Sequence, residues 1–416
     1  MDKNAKIEFC TLFILVGFMA AVVFHYLLSA YFHNPYPLNT FLFRPGAQFS
    51  DYISVYISNH DLSPYRIREL LDGAVYFPWA YILIVPFMFL PKIIGAELFV
   101  VISTLVLIGF CHFYFRREPR SPLLAEKYLN IKNIFIFSIM TYPVLFSIER
   151  ANLEFLLFLQ LAFFLFFYTR KDYFISAIFL ASATAMKMYP GVFVLLFLLD
   201  KRYKEAFFCV ALILMMSLSS LLLLKGGGIT VQLKSFSFIL NWYNDTYVRS
   251  YVGMQHNSSL FTFYNVFFNL FSNTKWPPPL IDKEIVKIFA IAGMVFFLAL
   301  AICMWNLPLV FWKRVALLTA CMLLLPHISF DYKLLHVYLP LFFFMNAAAS
   351  TKRSDMLYTI IFCLLFIPKN YLLLYGEYSI SSVLNTVLFL LLIIFILAEG
   401  FYYRSLSSTA RGNKIQ

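Results

Sequence analysis

Charge is scarce in this chain. Only 13% of its 416 residues are Asp, Glu, Lys or Arg, and just 21 are acidic. A soluble domain carries roughly twice that charged share, so no soluble domain is expected. Cysteine is sparse as well: Cys10, Cys111, Cys209, Cys303, Cys321 and Cys363 all fall inside apolar runs, with no pair at metal-ligand spacing. That excludes a disulfide scaffold or a zinc module and leaves them as small core residues. There is no HExxH, no cluster of His and Cys, and no nucleophile–histidine pair, which argues against a protease or a zinc hydrolase.

What fills the chain is apolar surface. Hydrophobic residues make up 62% and aromatic ones 20%, and the mean hydropathy is +0.78, the composition of a polytopic helical membrane protein. The net charge of +12 does not signal nucleic acid. The basic residues sit in short clusters between apolar runs and form no face or stripe, so anionic headgroups are their partner. The run from Ile7 to Tyr31 is too long for a signal-peptide core and lacks a small-residue cleavage site, so it reads as a retained first helix.

Runs of about 20 apolar residues fall at 7–31, 94–115, 133–149, 152–169, 206–224, 287–310, 315–326, 334–350, 356–373 and 379–402. Two further runs are irregular. "YFPWAYILIVPFMFLP" is short and broken by Pro78, Pro86 and Pro91, which suits a partial helix lining protein or a cavity. Residues 173–199 are interrupted by "KMYP" and flanked by "RKD" and "DKRYK", so a hairpin of two half-helices with both ends on one side is expected. The fold expected is an all-α polytopic transmembrane helical bundle of about 10 to 12 spans, with broken or re-entrant helices and a long first outer loop carrying amphipathic helices. Residues 1–403 form one integral-membrane domain with outer loops 32–75 and 225–286, and 404–416 a short basic tail.

Short cytoplasmic loops carry the Lys/Arg excess. With the N-terminus inside, most of the basic residues collect at Lys3 and Lys6, in 116–132, 170–172 and 200–205, at Lys313 and Arg314, at Lys352 and Arg353, and in the tail. The orientation expected is N-in and C-in. Asp51, Glu149, Arg150, Asn152, Glu154, Lys187, His256, Asn257, His327, Asp331 and Lys333 then all fall toward the outer face. A charge within a span costs about 2.5–3.5 kcal/mol on insertion scales, so such residues are functional candidates, with snorkelling to headgroups the alternative for each. A lone carboxylate beside cations and amides suits a general base that deprotonates a hydroxyl while Arg and Lys stabilise an anionic leaving group. No nucleoside triphosphate is at hand on that face, so an activated donor would arrive as a lipid phosphate.

Taken in order, "FSDYISVYISNHDLSPY", "YFPWAYILIVPFMFLP", "SIERANLEFLLFLQLAFF", "ASATAMKMYPGVFVLLFLLDKRYKEA", "QHNSSLFTF" and "LLPHISFDYKLLHVYLPL" resemble the polytopic glycosyltransferases of family 87, within the glycosyltransferase C superfamily. The resemblance runs from about Asp51 to the helix after Asp331. It implies an inverting hexosyltransferase, often a mannosyltransferase, that takes its sugar from a polyprenyl phosphate and passes it to a glycolipid or glycan on the outer face of a bacterial inner membrane. It implies Asp51 as catalytic base and Arg150 and Lys187 as ligands of the donor phosphate. Glu149, Asn152, Tyr189, His256, Asn257, His327, Asp331, Lys333 and Tyr56 are then substrate-binding candidates. In "ERANLE", Ala151 stands where the family commonly has glycine. No metal ligands are assigned and no cofactor is expected, although some relatives use a divalent metal.

Other readings stand beside these. Asp51 also suits an N-terminal cap of an amphipathic helix, with Asp61 as the runner-up acid. Asn257 suits a capped turn, and Asp331 a helix N-terminal acid. Phe77 and Trp79 are further candidates to line the site, and Tyr65 is expected to pack its loop. Trp242, Tyr243 and Tyr247 suit an interfacial belt or a sugar platform, and "TKWPPPL" a stiff connector. A lipid-linked-sugar flippase or a non-catalytic envelope-assembly protein are the competing functions. A flippase should show an inverted hydropathy repeat, and none is evident.

Overall fold

The computed structural model describes residues 1–42, 46–66, 75–116, 124–271, 280–348, 352–370, 373–374 and 378–412. The prolines at 277–279, with Arg117 and Arg120 of the expected cytoplasmic cluster, lie outside them. The helices in chain order are α1 (Lys3–Ala30), α2 (Ser50–Ser58), α3 (Pro78–Met88), α4 (Lys92–Phe115), α5 (Leu124–Ile139), α6 (Tyr142–Arg150), α7 (Glu154–Thr169), α8 (Tyr173–Met186), α9 (Val194–Leu199), α10 (Tyr203–Leu223), α11 (Ile229–Tyr243), α12 (Leu260–Phe271), α13 (Lys283–Asn306), α14 (Phe311–Leu324), α15 (Tyr338–Asn346), α16 (Lys352–Phe366) and α17 (Ile380–Gly412). Among the described residues the only strands are the two-residue pair Leu373–Leu374 and Tyr378–Ser379.

The protein is an all-α membrane bundle, built as a rim around a core. Among the described residues five helices, α1, α4, α10, α13 and α17, are long and apolar enough to cross a bilayer, or six spans if α5 and α6 count as one bent pair. Not all of the 10 to 12 expected spans fold as single long helices. The remaining apolar runs fold as shorter helices; a 14- or 16-residue helix is only about 21–24 Å long, below the ~30 Å hydrocarbon core. These short helices hold the interior. In α14 every residue from Val315 to Leu324 is buried, and α7 and α15 are nearly as enclosed. A helix apolar all round belongs inside.

Prolines and charges set the breaks. The expected span 133–149 is instead two helices, α5 and α6, bent by 53°. Pro143, in the first turn of α6, supplies no N–H to the preceding turn and fits a helix start but not a helix middle. The run 173–199 does fold as a hairpin: α8, an extended Lys187 (φ −151°, ψ 136°) and a 3-10 turn at Tyr189–Phe193 leading into α9. Both ends return to Tyr168 at the end of α7, whose ring meets Tyr173 at 5.3 Å and whose hydroxyl donates to Asp200 at 2.8 Å. α17 continues past the expected end of its span, through Gly412.

Ion pairs close one end of the bundle. The N-terminal amine meets Asp355 at 2.9 Å, Lys313 meets Glu399 at 2.7 Å and Arg314 meets Asp200 at 3.0 Å. Segments expected on one side of the membrane are thus tied together. The opposite end carries α2, the α6–α7 junction and the tip of the α8–α9 hairpin.

α2 is seated there by a close approach to the next rim helix. Tyr52, fully buried, donates to the Phe87 carbonyl at 3.2 Å. Gly95 of α4 sits so near that a methyl group there would lie 2.6 Å from the same carbonyl oxygen and collide with the Tyr52 hydroxyl. Backbone cannot yield as a side-chain tip can. Gly95→Ala is therefore expected to destabilise the protein by about 1–3 kcal/mol, read as a lowered melting temperature of the detergent-purified protein.

Candidate functional site

Two junctions in the backbone create the site. At the first, Phe49 takes a left-handed conformation (φ 57°) and donates its N–H to the Glu149 carbonyl at 2.8 Å, which docks the start of α2 on the end of α6. Phe49 is the cap residue and makes no side-chain cap. Asp51, in the first turn, does not cap the helix either: its carboxylate reaches across to accept from Arg150 and from the Asn152 amide.

The second junction is the break between α6 and α7. Ala151 closes α6 in the left-handed region (φ 47°, ψ 43°) and is fully buried. Glycine adopts that conformation without strain, whereas alanine pays for its Cβ, so this turn is a position that favours glycine. Asn152 then serves two helices. Its Oδ1 accepts the Glu154 N–H at 2.8 Å at the head of α7 while its Nδ2 holds Asp51.

Glu154 is the anchor behind this surface. It is wholly buried and accepts from Lys187, from the Tyr189 hydroxyl and, at 3.1 Å, from His336 Nε2. Lys187 reaches it from the extended break at the hairpin tip and also lies 4.5 Å from the centre of the Tyr76 ring. Lys333 lies over Tyr189 at 4.4 Å and donates to the Ile328 carbonyl at 2.7 Å. Accessibility sorts these groups. Side chains of Asp51 and Arg150 are each 16% exposed and Lys187 18%, whereas Glu154 is at 0%. The first three can meet a ligand; Glu154 can act only through them.

A second polar cluster lies beside the first and is sealed. Asp331, wholly buried, accepts from Tyr142 at 2.9 Å, Ser258 at 2.8 Å and Ser381 at 3.0 Å, with His256 Nδ1 at 4.0 Å. Asn257 ties the 256–259 turn to the 327–330 segment, donating to the His327 carbonyl at 3.1 Å and accepting from the Ser329 N–H at 2.7 Å. Burial holds His256 below the usual histidine pKa; Asp331 opposes that and the Arg150 charge adds to it. This cluster joins the segment before α12 to α6 and α17.

The residues singled out in the sequence therefore divide. Asp51, Arg150, Asn152, Lys187, Tyr189 and Lys333 come together. His256, Asn257 and Asp331 form the sealed cluster, and His327 turns away to the Val286 carbonyl at 3.1 Å. The Glu149 side chain is half-buried. Tyr56 is directed to the Leu90 carbonyl at 3.4 Å, and Trp79 to Ser182 at 2.8 Å. Phe77 packs edge-on against Phe236. Tyr65 is buried, donating to the Tyr76 carbonyl at 2.9 Å. Asp61 is an exposed turn acid, bonded by Ser63 and held below the usual carboxylate pKa by it. Trp242 and Tyr243 both pack on Tyr247. His336 is not among the candidates named from the sequence, and Glu154, named among the outer-face polar residues, carries no specific role there. Their signal was available: each is a polar group inside an apolar run, Glu154 at the head of one and His336 in "LLHVYLPL".

The model of glycosyltransferase family 87 matches residues 74–326, a stretch that takes in Arg150, Asn152, Glu154, Lys187 and Tyr189 and begins after Asp51. The chain belongs to glycosyltransferase family 87. No curated protein matches it.

The strained turn at Ala151 can be probed directly. Ala151→Gly is expected to stay within about 1 kcal/mol of wild type, strain relief offsetting the lost methyl contact. Ala151→Val puts a branched residue into a left-handed, fully buried position and should cost about 1–3 kcal/mol. Thermal unfolding of the two variants in detergent checks the order.

Proposed function

We propose that this family 87 membrane glycosyltransferase transfers a hexose, mannose in the first instance, from a polyprenyl phosphate to a lipid or glycan acceptor. The observation that carries the reading is the part-exposed set Asp51, Arg150 and Lys187 at one end of the bundle, backed by a buried carboxylate. Asp51 takes the proton of the acceptor hydroxyl. The freed oxygen attacks the anomeric carbon, the bond from that carbon to the phosphate oxygen breaks with inversion, and the negative charge stays on the departing lipid phosphate. Arg150 and Lys187 neutralise it.

Glu154 has a supporting part. It pairs with Lys187, and so holds at the hairpin tip the cation that meets the donor phosphate. Arg150 starts paired with Asp51, so donor binding draws the guanidinium toward phosphate and frees the carboxylate for the acceptor proton. The proposed setting is a bacterial inner membrane with both termini inside and the site on the periplasmic side. A flippase reading gains nothing from the opposite end, which ion pairs close.

The test is transfer of label from radiolabelled polyprenyl phosphate mannose to a lipid extract by the purified enzyme. Asp51→Asn should lose transfer by about 10²–10⁴-fold and still bind donor; full activity in this variant would remove Asp51 as base. Lys187→Ala should raise the donor KM more than it lowers kcat. Both carboxylates in this site are neutralised by side-chain cations, so EDTA should leave the rate unchanged. Loss of turnover restored by a divalent cation would overturn that part.

A further inference from the structure

Helix α12 has its polarity inside out. Thr262 and Asn265 are buried, whereas Tyr264 is 39% exposed, Phe267 37%, Phe268 55% and Phe271 82%. These four recur at i, i+3, i+4 and i+7, so they form one face, and together they line a shallow groove of about 380 Å³. A helix bordering water would do the reverse and show its polar side. At 12 residues, about 18 Å long, α12 is also too short to cross a bilayer.

Its neighbours show what lies outside. On one side Tyr264 and Phe261 meet Phe289, near the start of α13, at 5.0 and 5.2 Å. On the other, Val266 packs in a small cluster with Val383, near the start of α17. Both are rim spans with apolar exposed faces: Ile288, Ile291 and Met294 on α13 are 63–67% exposed, and Leu384 and Ile394 on α17 are 40% and 57%. The aromatic face of α12 lies between these two apolar surfaces.

We propose that α12 is a lipid-docking helix: it lies in the bilayer leaflet on the site side, with Phe267, Phe268 and Phe271 among acyl chains and the Tyr264 hydroxyl toward the headgroups. Because Ser258, just before α12, bonds to Asp331, the depth of this helix in the leaflet fixes the height of the sealed cluster beside the site. The occupant is bulk lipid, so the inference holds whichever sugar or acceptor the enzyme uses.

The experiment uses the full chain in nanodiscs of phosphatidylcholine and phosphatidylglycerol. Nitroxide labels go on Phe268→Cys and, separately, Tyr264→Cys, and collision with oxygen is compared with collision with a water-soluble nickel chelate. Unsubstituted protein gives the background from Cys303, Ile291→Cys the lipid reference and Lys287→Cys the aqueous one. The expected result is an oxygen-to-nickel collision ratio several-fold above the Lys287 label and close to the Ile291 label at position 268, with position 264 shallower. A ratio matching the Lys287 label overturns the proposal, and so does dipolar broadening that reports a second copy of the chain packed on this face. Two label positions keep the test decisive if one substitution spoils folding.

Discussion

A carboxylate in an apolar bundle must be paired, and Glu154 is the one to which the site end of this protein answers. An unpaired buried charge would cost several kcal/mol, so the three groups that satisfy it are bound to arrive together. They come from the hairpin tip, from the 3-10 turn that follows it and from the segment before α15. One side chain thus fixes where four stretches of chain meet. Asp51 and Arg150 then sit on the accessible side of that meeting point, joined to it through Asn152.

The breaks in the helices are what allow this. A continuous helix buries its backbone and offers only side chains, and its ends lie at the membrane surfaces. Pro143 starts α6 at a bend, Ala151 ends it in a left-handed turn, and Lys187 sits in extended backbone between α8 and the 3-10 turn. The interruptions after α6 and after α8 bring Asn152 and Lys187 to the site, and the bend before α6 brings Tyr142 to the sealed cluster beside it. The orphaned backbone groups are taken up locally, as where the Asn152 side chain accepts the Glu154 N–H.

Much of the frame was legible in the sequence because it depends on local properties. Apolar run length found the rim spans, and the proline and lysine interruptions of 76–91 and 173–199 found the irregular helices. The bend before Pro143 does not follow from run length, because apolarity does not distinguish one helix from two; the proline in "SIMTYPVLF" is the local signal for it. In the site, Asp51, Arg150 and Lys187 could be named, since each is a charge where charge is costly. What could not be read was pairing. Nothing local to Glu154 tells that its partners lie at 187, 189 and 336, and nothing local to Asp331 tells that Tyr142, Ser258 and Ser381 will enclose it. Those contacts are made by the fold across long separations in the chain.

The contrast between long rim helices and short central ones has a mechanical side. α4 and α13, at 24 residues each, are about 36 Å long and touch lipid over much of their surface, so a change in bilayer thickness acts on them first, through tilt. The central helices α7, α14 and α15 touch mostly protein and have no lipid boundary to match. Thickness mismatch therefore acts first at the periphery, and it reaches the residues around Glu154 only through the rim contacts, such as that of Gly95 on α4 with Tyr52 on α2.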